Sequence, residues 1–497
     1  MQRLGDHPAL YFEGVTHRSG ELFDRATRVA TGLGRLGVGP GGRVVVLMAN
    51  CPEVSITYHA IWRAGAAVTP VIFLVTPVEL RHLIGQARPA ALVTTADLLP
   101  KALEATTGLT LPLVVLGDPR LGGAAADDPR VVDYRTLEAA PPGPVVERTP
   151  DDLAALLFTG GTTGRSKGVP LSHANLWHAG WSSRQFSHVP GLDRGIGALP
   201  LSHSYGILVT VGALHAEDPE FAVLMRWFDP AGWLALAAEH RVQKTALVPS
   251  IVAALLAQPV EDYDLPELRT AYSGAAPLAP ALIDEFERRV PGAQLLEGYG
   301  LTESSGIATT TPPGRRRPGT VGVAVPGVEI RIAGADDADL PSGVDGEILL
   351  RGPVVMAGYW DDEQASASTL AGGWLHTGDI GHLDEDGYLS VVDRKKDLIL
   401  RGGYNVFPRD VEDVLLQHPA VLAAAVVGRP DPRLGEEVVG FVAVDPASGV
   451  TGDALVRFAR DRLAAHKYPR EVRVVEQIPL TPVGKLDRKR LRSLVAE

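Results

Sequence analysis

The chain has 497 residues, 45% of them hydrophobic and 21% charged, and a formal net charge of -12. This length exceeds one compact core, so the sequence predicts several structural units of an ordinary globular protein. The negative charge, with no run of Lys and Arg longer than Arg315–Arg317, argues against binding to nucleic acid or anionic lipid. The single cysteine, Cys51, excludes an intrachain disulfide and a thiolate-rich metal site.

The sequence shows neither a targeting signal nor a membrane span. Residues 1–14 lack the apolar block of a secretory signal, so we expect a cytoplasmic protein. The uncharged stretch at residues 64–78 contains two prolines and is shorter than the roughly 18 to 20 residues that cross a bilayer. It predicts buried core and no membrane span.

The first half of the chain alternates helical periods with short β-branched runs. Helices are predicted at residues 21–36, 52–64 and 176–185, and strands at 43–48, 91–94, 113–116 and 245–248. This alternation indicates βαβ units and buried parallel sheet. From about Gly319 the pattern changes to short strands, at 328–332, 346–351 and 387–392, which indicates a smaller β-rich subdomain.

The last hundred residues are predicted to form a separate α+β domain. A charged stretch at 393–397 precedes a helix at 408–418, strands at 423–428 and 438–444, and a helix at 452–464. The predicted fold class is therefore α/β, with a large N-terminal domain of several subdomains, whose mostly parallel sheets are flanked by helices, and a small C-terminal domain. The predicted boundaries are 1–393 for the first domain, 394–397 for a hinge and 398–497 for the second.

A glycine- and hydroxyl-rich loop, Phe158–Gly168, follows the apolar run 153–157 and precedes a helix-like segment. Its glycines would let backbone N–H groups approach phosphate oxygens, its hydroxyls would donate further bonds and its lysine would offset charge. A plain turn is the alternative. A Walker loop is disfavoured because Ser166 precedes Lys167 here and Gly168 follows it. The candidate phosphate-binding residues are Thr159, Gly160, Gly161, Thr162, Thr163, Gly164 and Lys167.

This loop resembles the signature loop of the adenylate-forming superfamily, which includes acyl-CoA synthetases, amino-acid adenylation domains and beetle luciferases. Further segments resemble other motifs of that superfamily in the same order: Ser273–Pro277, Glu297–Glu303, Thr377–Asp379, Asp393–Asp397 and Pro479–Asp487. The resemblance runs from about residue 10 to residue 490. It implies ATP-dependent activation of a carboxylic acid as acyl-AMP, transfer to a thiol, a mobile C-terminal domain, and ATP, Mg²⁺ and coenzyme A as cofactors.

The resemblance also implies a role for each matching residue. Glu303 would hold Mg²⁺, since one carboxylate plus phosphates and waters suffices for this ion. Lys485 would bridge the attacking carboxylate and the α-phosphate, to which Thr302 would donate its hydroxyl. Adenine would be bound by Gly274, Ala275, Ala276, Glu297, Gly298, Tyr299 and Gly300, ribose by Asp379 and Arg394, and pantetheine by Gly402 and Gly403, with Lys396 as the pivot of the hinge.

The residues alone leave simpler interpretations open. Glu303 could cap a helix, Tyr299 could belong to the core, and Asp379 could be a turn residue. Arg394 and Lys396 could be ordinary surface charges. Lys485 on its own would be a solvated lysine, and only the resemblance favours a catalytic role.

The segment Pro200–Gly206 matches the border of the family's acyl pocket, and His203 takes the position of its gate or, alternatively, of a core histidine. No acidic residue lies between Leu199 and Ala216, so an amino-acid substrate is disfavoured. The apolar run Ile207–Leu214 and the small residues Ala275 and Ala276 favour a medium or long fatty acid. A small carboxylic or aryl acid is the alternative.

The expected acceptor is coenzyme A, because Gly402-Gly403-Tyr404-Asn405 resembles the glycine loop of acyl-CoA synthetases. An acyl carrier protein remains open, because its phosphopantetheine is the same chemical arm. A luciferase-like oxygenase and a nucleotide-binding regulatory protein without catalysis are more distant alternatives. Either a monomer or a homodimer fits the sequence.

Overall fold

A computed structural model of the chain describes residues 4–117, 128–159, 166–402, 404–480 and 486–496. The strands are β1 Pro8–Phe12, β2 Val15–Arg18, β3 Arg43–Leu47, β4 Ala67–Pro70, β5 Ala91–Thr95, β6 Leu113–Leu116, β7 Val131–Asp133, β8 Leu153–Thr159, β9 Lys167–Ser172, β10 Arg194–Gly197, β11 Phe221–Leu224, β12 Lys244–Leu247, β13 Thr270–Ser273, β14 Gln294–Tyr299, β15 Thr309–Thr310, β16 Val323–Ala324, β17 Glu329–Ala333, β18 Gly346–Arg351, β19 Leu375–Leu383, β20 Leu389–Arg394, β21 Ile399–Arg401, β22 Tyr404–Val406, β23 Val421–Asp431, β24 Gly435–Val444 and β25 Glu471–Val475.

The helices are α1 Ser19–Arg35, α2 Pro52–Arg63, α3 Pro77–Ala87, α4 Leu99–Ala105, α5 Tyr134–Glu138, α6 His173–Ser187, α7 Ser204–Ala213, α8 Pro230–Glu239, α9 Pro249–Leu256, α10 Pro280–Arg289, α11 Glu363–Thr369, α12 Pro408–Leu416, α13 Gly452–Arg460 and α14 Arg488–Ala496. Within the described ranges, none of these is both long and apolar enough to cross a membrane.

The contacts divide the chain into two compact units. Unit 1 comprises Met1–Glu329 and Leu350–Leu375, and unit 2 comprises Ile330–Leu349 and His376–Glu497. The predicted α/β class is confirmed. The hinge at 394–397 and the functional boundaries on either side of it stay predictions.

Unit 1 contains two mostly parallel sheets. One has seven strands in the order β7-β6-β5-β3-β4-β8-β9, and the other has nine in the order β16-β15-β14-β13-β12-β10-β11-β1-β2. The central strands, such as β3, are continuous β-branched runs because helices cover both faces of a parallel sheet. Antiparallel pairs occur at the edges, where β9 pairs with β8, β2 with β1 and β15 with β14.

Unit 2 is built around a five-stranded sheet in the order β22-β21-β24-β23, with β25 on β24. Alternate residues of its long strands enter two separate cores. Val426, Val438 and Val442 pack with α12 and α13, whereas Val427 and Val439 pack with α14. Because strand side chains alternate between faces, a nearly continuous apolar run is what a sheet covered on both sides requires. The four-stranded sheet β17-β18-β19-β20 also lies in unit 2, apart from residues at the ends of three strands.

The predicted elements are observed within a few residues of their bounds, with one exception in residues 64–78. Its first half forms β4 and is buried, as predicted, but Leu74 and Val78 are 49% and 77% exposed. Thr76 and Glu79 form a capping box that starts α3, which places Val78 in the first turn on the solvent side. The prediction of continuous buried core was therefore wrong for the second half of the stretch.

Candidate functional site

The predicted phosphate loop joins two strands of unit 1. Its flanking residues Thr159 and Lys167 are paired in the antiparallel ladder of β8 and β9. Gly160, Gly161, Thr162, Thr163 and Gly164 lie outside the described residues. The strand β9 stands between the loop and the predicted helix, which is observed as α6, and Val169 and Leu171 of β9 alternate into the core. Pro170 is tolerated there because β9 is an edge strand.

Glu303 and Thr302 lie on one turn of 3-10 helix after β14. The turn closes tightly, since a Cβ on Gly300 would lie 2.5 Å from the carbonyl oxygen of Gly306. Gly306 itself has φ of +87°, which favours glycine. The Thr302 hydroxyl donates to the Ser204 hydroxyl at 3.4 Å, at the start of α7. The predicted metal ligand and the predicted α-phosphate donor are therefore adjacent on a constrained backbone.

The Glu303 carboxylate has a partner that the sequence analysis missed. The Tyr359 hydroxyl donates to Glu303 Oε1 at 2.9 Å. The ammonium of Lys167 lies 4.5 Å from the centroid of the same tyrosine ring. Thus one aromatic side chain contacts both the predicted metal ligand and the predicted phosphate-binding lysine.

The predicted adenine segments meet at the carboxyl ends of two neighbouring parallel strands. Ser273 of β13 pairs with Glu297 of β14, so Gly274 and Gly298 follow side by side. A Cβ on Gly274 would lie 3.3 Å from the Gly298 carbonyl oxygen, and one on Gly298 would lie 3.2 Å from that of Thr309. The next residue after Gly274, Ala275, has φ of +69°, a strained value for a residue with a side chain. Ala276 follows in the same loop, and Tyr299 ends β14.

The predicted acyl segment is fixed by a buried amide that sequence reasoning did not find. Asn50, after β3, donates to the carbonyl oxygens of Leu199 and Met225 at 2.9 and 3.1 Å and accepts from the Leu201 N–H at 2.9 Å. Further along, the Nδ1 atom of His203 accepts from the Tyr205 N–H at 3.2 Å and caps α7. In the described structure His203 therefore has a local structural role, and the gate remains a prediction.

The predicted ribose residues meet in unit 2. Asp379 of β19 is directly opposite Arg394 of β20, and the guanidinium Nε lies 3.0 Å from the carboxylate of the almost fully buried aspartate. The preceding Gly378 has φ of +69° and donates its N–H to Glu347. An open recess of about 280 Å³ is lined by Thr377, Gly378, Asp379, Arg394, Lys395 and Lys396. Burial, reinforced by Arg394, lowers the pKa of Lys396.

Two other predicted residues of unit 2 cannot be placed. Gly403 and Lys485 lie outside the described residues. Gly402 has φ of +58° and donates its N–H to the Leu434 carbonyl oxygen at 2.7 Å, so the backbone at this position of the predicted pantetheine loop favours glycine. Tyr404, after the gap, is largely exposed and stacks on His466 with ring centroids 4.7 Å apart.

The family follows from comparison with known sequences. The profile of the AMP-binding enzymes matches residues 1–360, and that of the AMP-binding enzyme C-terminal domain matches residues 410–485. The chain is an AMP-binding enzyme. The resemblance to the adenylate-forming superfamily is thereby confirmed.

Relatives of this AMP-binding enzyme act on different acids. A long-chain-fatty-acid–CoA ligase of Bacillus subtilis (strain 168) is 31% identical over 98% of this chain and 92% of its own length. A feruloyl-CoA synthase of an Amycolatopsis species is 34% identical over 97% of this chain and 95% of its own. The solved structure of ATP-bound MatB from Rhodopseudomonas palustris is 31% identical, with a TM-score of 0.89 over 98% of this chain and 96% of its own.

The residues of this AMP-binding enzyme fit a magnesium ion that is held mainly by its substrate. No group of three or more His, Cys, Asp or Glu side chains in the described ranges could enclose a metal. Glu303 instead offers one carboxylate, which accepts from the Tyr359 hydroxyl, and the ring of that tyrosine contacts Lys167. Mg²⁺ usually takes one or two carboxylates and completes its octahedron with phosphate oxygens and water.

Proposed function

We propose that this AMP-binding enzyme activates a carboxylic acid as acyl-AMP and transfers the acyl group to coenzyme A. The observation that carries the proposal is that Tyr359 contacts both Lys167 and Glu303, and that Glu303 directly follows Thr302 on one 3-10 turn. It brings together a proposed anionic metal ligand, a hydroxyl donor and a lysine from the segment that resembles the family's phosphate loop.

The first step joins two anions, so it depends on charge neutralisation and alignment. The substrate carboxylate attacks the α-phosphorus of ATP, and the bond to pyrophosphate breaks. Bound Mg²⁺ would neutralise phosphate charge, and Glu303 would be its protein ligand. Lys167 would bind phosphate oxygens, Thr302 would donate to the α-phosphate, and Lys485 would bridge it to the attacking carboxylate.

The second step forms the thioester. The thiol sulfur of coenzyme A attacks the acyl carbon, the bond to the AMP oxygen breaks, and the thiol proton is released. Asp379 and Arg394 would bind the ribose hydroxyls, since a carboxylate accepts two bonds and a guanidinium donates. Gly402 and Gly403 would let the pantetheine arm approach the backbone.

For the acid, we propose a medium or long fatty acid. The segment between Leu199 and Ala216, which resembles the border of the family's acyl pocket, has no acidic residue that could pair with a substrate amine. The apolar segment that begins at Ile207 and the small Ala275 and Ala276 support an aliphatic chain, as does the similarity to the Bacillus ligase.

A second candidate is an aryl acid. The Tyr205 side chain is half-buried, and its hydroxyl donates to the Tyr272 carbonyl oxygen at 3.3 Å. The hydroxyl of Tyr272 itself is buried and has no hydrogen-bond partner among the described residues. Two neighbouring tyrosines favour a flat ring with a polar substituent, and the feruloyl-CoA synthase supports this alternative.

The test is a thioester assay with octanoate, palmitate and ferulate, each offered with coenzyme A and with a phosphopantetheinylated carrier protein. We expect ATP- and Mg²⁺-dependent thioester and stoichiometric pyrophosphate with a fatty acid and coenzyme A. Product only with ferulate would favour the aryl acid. Thioester only on the carrier protein would replace the acceptor, and no acid-dependent pyrophosphate exchange would contradict the proposed activity.

A further inference from the structure

The short segment Gly358–Asp362 is held rigidly against the phosphate-loop strand. The Trp360 N–H donates to the Gly168 carbonyl oxygen of β9 at 2.8 Å, and the Tyr359 N–H donates to the Ser366 hydroxyl at 2.8 Å. Gly358 has φ of +155°. One backbone hydrogen bond to β9 and one hydrogen bond to Ser366 of α11 thus hold the backbone at Tyr359 and at the residue after it.

The hydroxyl of Tyr359 can act only as a proton donor toward Glu303. An ionised carboxylate has no proton to donate, so the hydroxyl is the donor, and the 2.9 Å bond orients the carboxylate. One oxygen, Oε1, accepts this bond, which sets the direction in which the other oxygen points.

The ring of Tyr359 has a separate partner. Lys167 extends from the first position of β9 and brings its ammonium to 4.5 Å from the ring centroid. At this distance the negative face of the ring attracts the cation. The contact holds a long, flexible side chain near the loop, so less conformational entropy is lost when phosphate binds.

We propose that Tyr359 is a positioning residue that aligns the metal ligand Glu303 through its hydroxyl and the phosphate-binding cation Lys167 through its ring. The inference rests on the proposed function, because it assumes that these two residues face the phosphates and magnesium of ATP. The alignment of both residues then depends on the single side chain of Tyr359, and mutation can separate the contribution of its hydroxyl from that of its ring.

Tyr359→Phe removes the hydroxyl and keeps the ring. Calorimetric titration should show ATP affinity in EDTA within about twofold of wild type, because Lys167 keeps its partner. ATP affinity should also be measured over a range of Mg²⁺ concentrations. The concentration at half of the Mg²⁺-dependent gain in affinity should rise about tenfold, because Glu303 loses a hydrogen bond to its charged carboxylate. The matched control is Tyr134→Phe, which deletes a buried hydroxyl bonded to Thr57 at 3.0 Å elsewhere in unit 1.

Tyr359→Leu removes both contacts. ATP affinity in EDTA should fall roughly threefold to tenfold, the range expected for a partly desolvated cation–π contact, in addition to the magnesium effect. Thermal unfolding without ligands shows whether each variant is folded, and Tyr359→Phe tests the hydroxyl even if the leucine variant does not fold.

Three results would overturn the inference. In the first, Tyr359→Phe has the same magnesium dependence as the control Tyr134→Phe. In the second, Tyr359→Phe loses ATP affinity equally with and without Mg²⁺. In the third, a folded Tyr359→Leu has the same ATP affinity in EDTA as Tyr359→Phe. These differ from failure of the proposed function, in which wild type itself would show no magnesium-dependent ATP binding and no pyrophosphate exchange.

Discussion

Lys485 is the residue whose proposed role depends most on charge. Lys485→Ala removes the cation where two anions converge, so acyl-AMP formation should fall by about 100-fold or more. Consumption of supplied acyl-AMP by coenzyme A should change far less, because that step does not bring the carboxylate to the α-phosphate. Both half-reactions are measured on one preparation, with Lys489→Ala on the exposed side of α14 as control. Equal loss of both steps would assign Lys485 a structural role.

Glu303 is expected to act through the charge of its carboxylate. Glu303→Gln keeps an oxygen that can accept the Tyr359 hydroxyl, so we expect an unchanged melting temperature. Adenylation should fall by about 100-fold, the scale of removing one electrostatic contact from an active site. The measurement is pyrophosphate exchange over a range of Mg²⁺ concentrations. A wild-type rate at saturating Mg²⁺ would remove Glu303 from the metal site.

At the residue scale, the sequence predicted only those candidate site residues that lie within a contiguous motif. Thr302 and Glu303 were predicted this way because the whole segment from Glu297 resembles a family motif. Tyr359 was not found, because its role depends on a turn that brings it to a residue 56 positions earlier. Asn50 was missed for the same reason, since its partners are about 150 and 175 residues away.

At the element scale, α12 and α14 of unit 2 are joined by a buried ion pair. Arg488, at the start of α14, donates to both oxygens of Glu412 on α12 at 2.8 and 3.0 Å. Glu412 also accepts the Val426 N–H at 2.8 Å. These helices pack on opposite faces of the five-stranded sheet, so the pair ties the two cores together.

This pair gives unit 2 a pH dependence. Burial raises the pKa of Glu412 to about 7, from 4.5, against the opposing charge of Arg488. The stability that Glu412 contributes is therefore fully present below about pH 4.5 and is lost as the pH rises through about 7. Glutamine does not titrate. The difference in the free energy of unfolding between wild type and Glu412→Gln should therefore fall between about pH 5 and pH 8, by up to about 3 kcal/mol in the direction that disfavours wild type.

Hydrogen exchange of peptides from α12 measures this effect. Tryptophan fluorescence would miss it, because all seven tryptophans lie in unit 1. Glu363→Gln on α11 of unit 1 is a control for a change of net charge. A wild-type advantage that stays constant with pH would contradict the raised pKa.

Helices and strands were predicted best where the spacing of apolar residues alone determines the secondary structure. The buried strands β3, β5 and β6 and the amphipathic α1 follow directly from their patterns. The edge strand β9 did not, because it contains Gly168 and Pro170, both poor strand residues. Its pairing depends on β8 beside it, a tertiary contact that no local pattern encodes.

At the scale of the whole molecule, the proposed chemistry requires two arrangements of the C-terminal residues. Lys485 is needed at the α-phosphate in the first step, whereas Gly402 and Gly403 are needed beside the thiol in the second. The family resemblance places the pivot at Lys396, between β20 and β21. A hinge absorbs such a rotation in a few backbone dihedral angles.

Lys396→Pro should restrict this pivot. The Lys396 N–H donates no hydrogen bond to any described residue, so proline removes none there, and its ring fixes φ near roughly -65°. We expect adenylation to survive and thioester formation to fall at least about tenfold, because only one of the two arrangements stays accessible. Lys396→Ala, which removes the side chain and leaves φ unrestricted, should retain both steps. Pyrophosphate exchange and acyl-AMP consumption by coenzyme A, measured on the same preparation, separate the two steps, and an equal loss of both in the proline variant would refute the hinge.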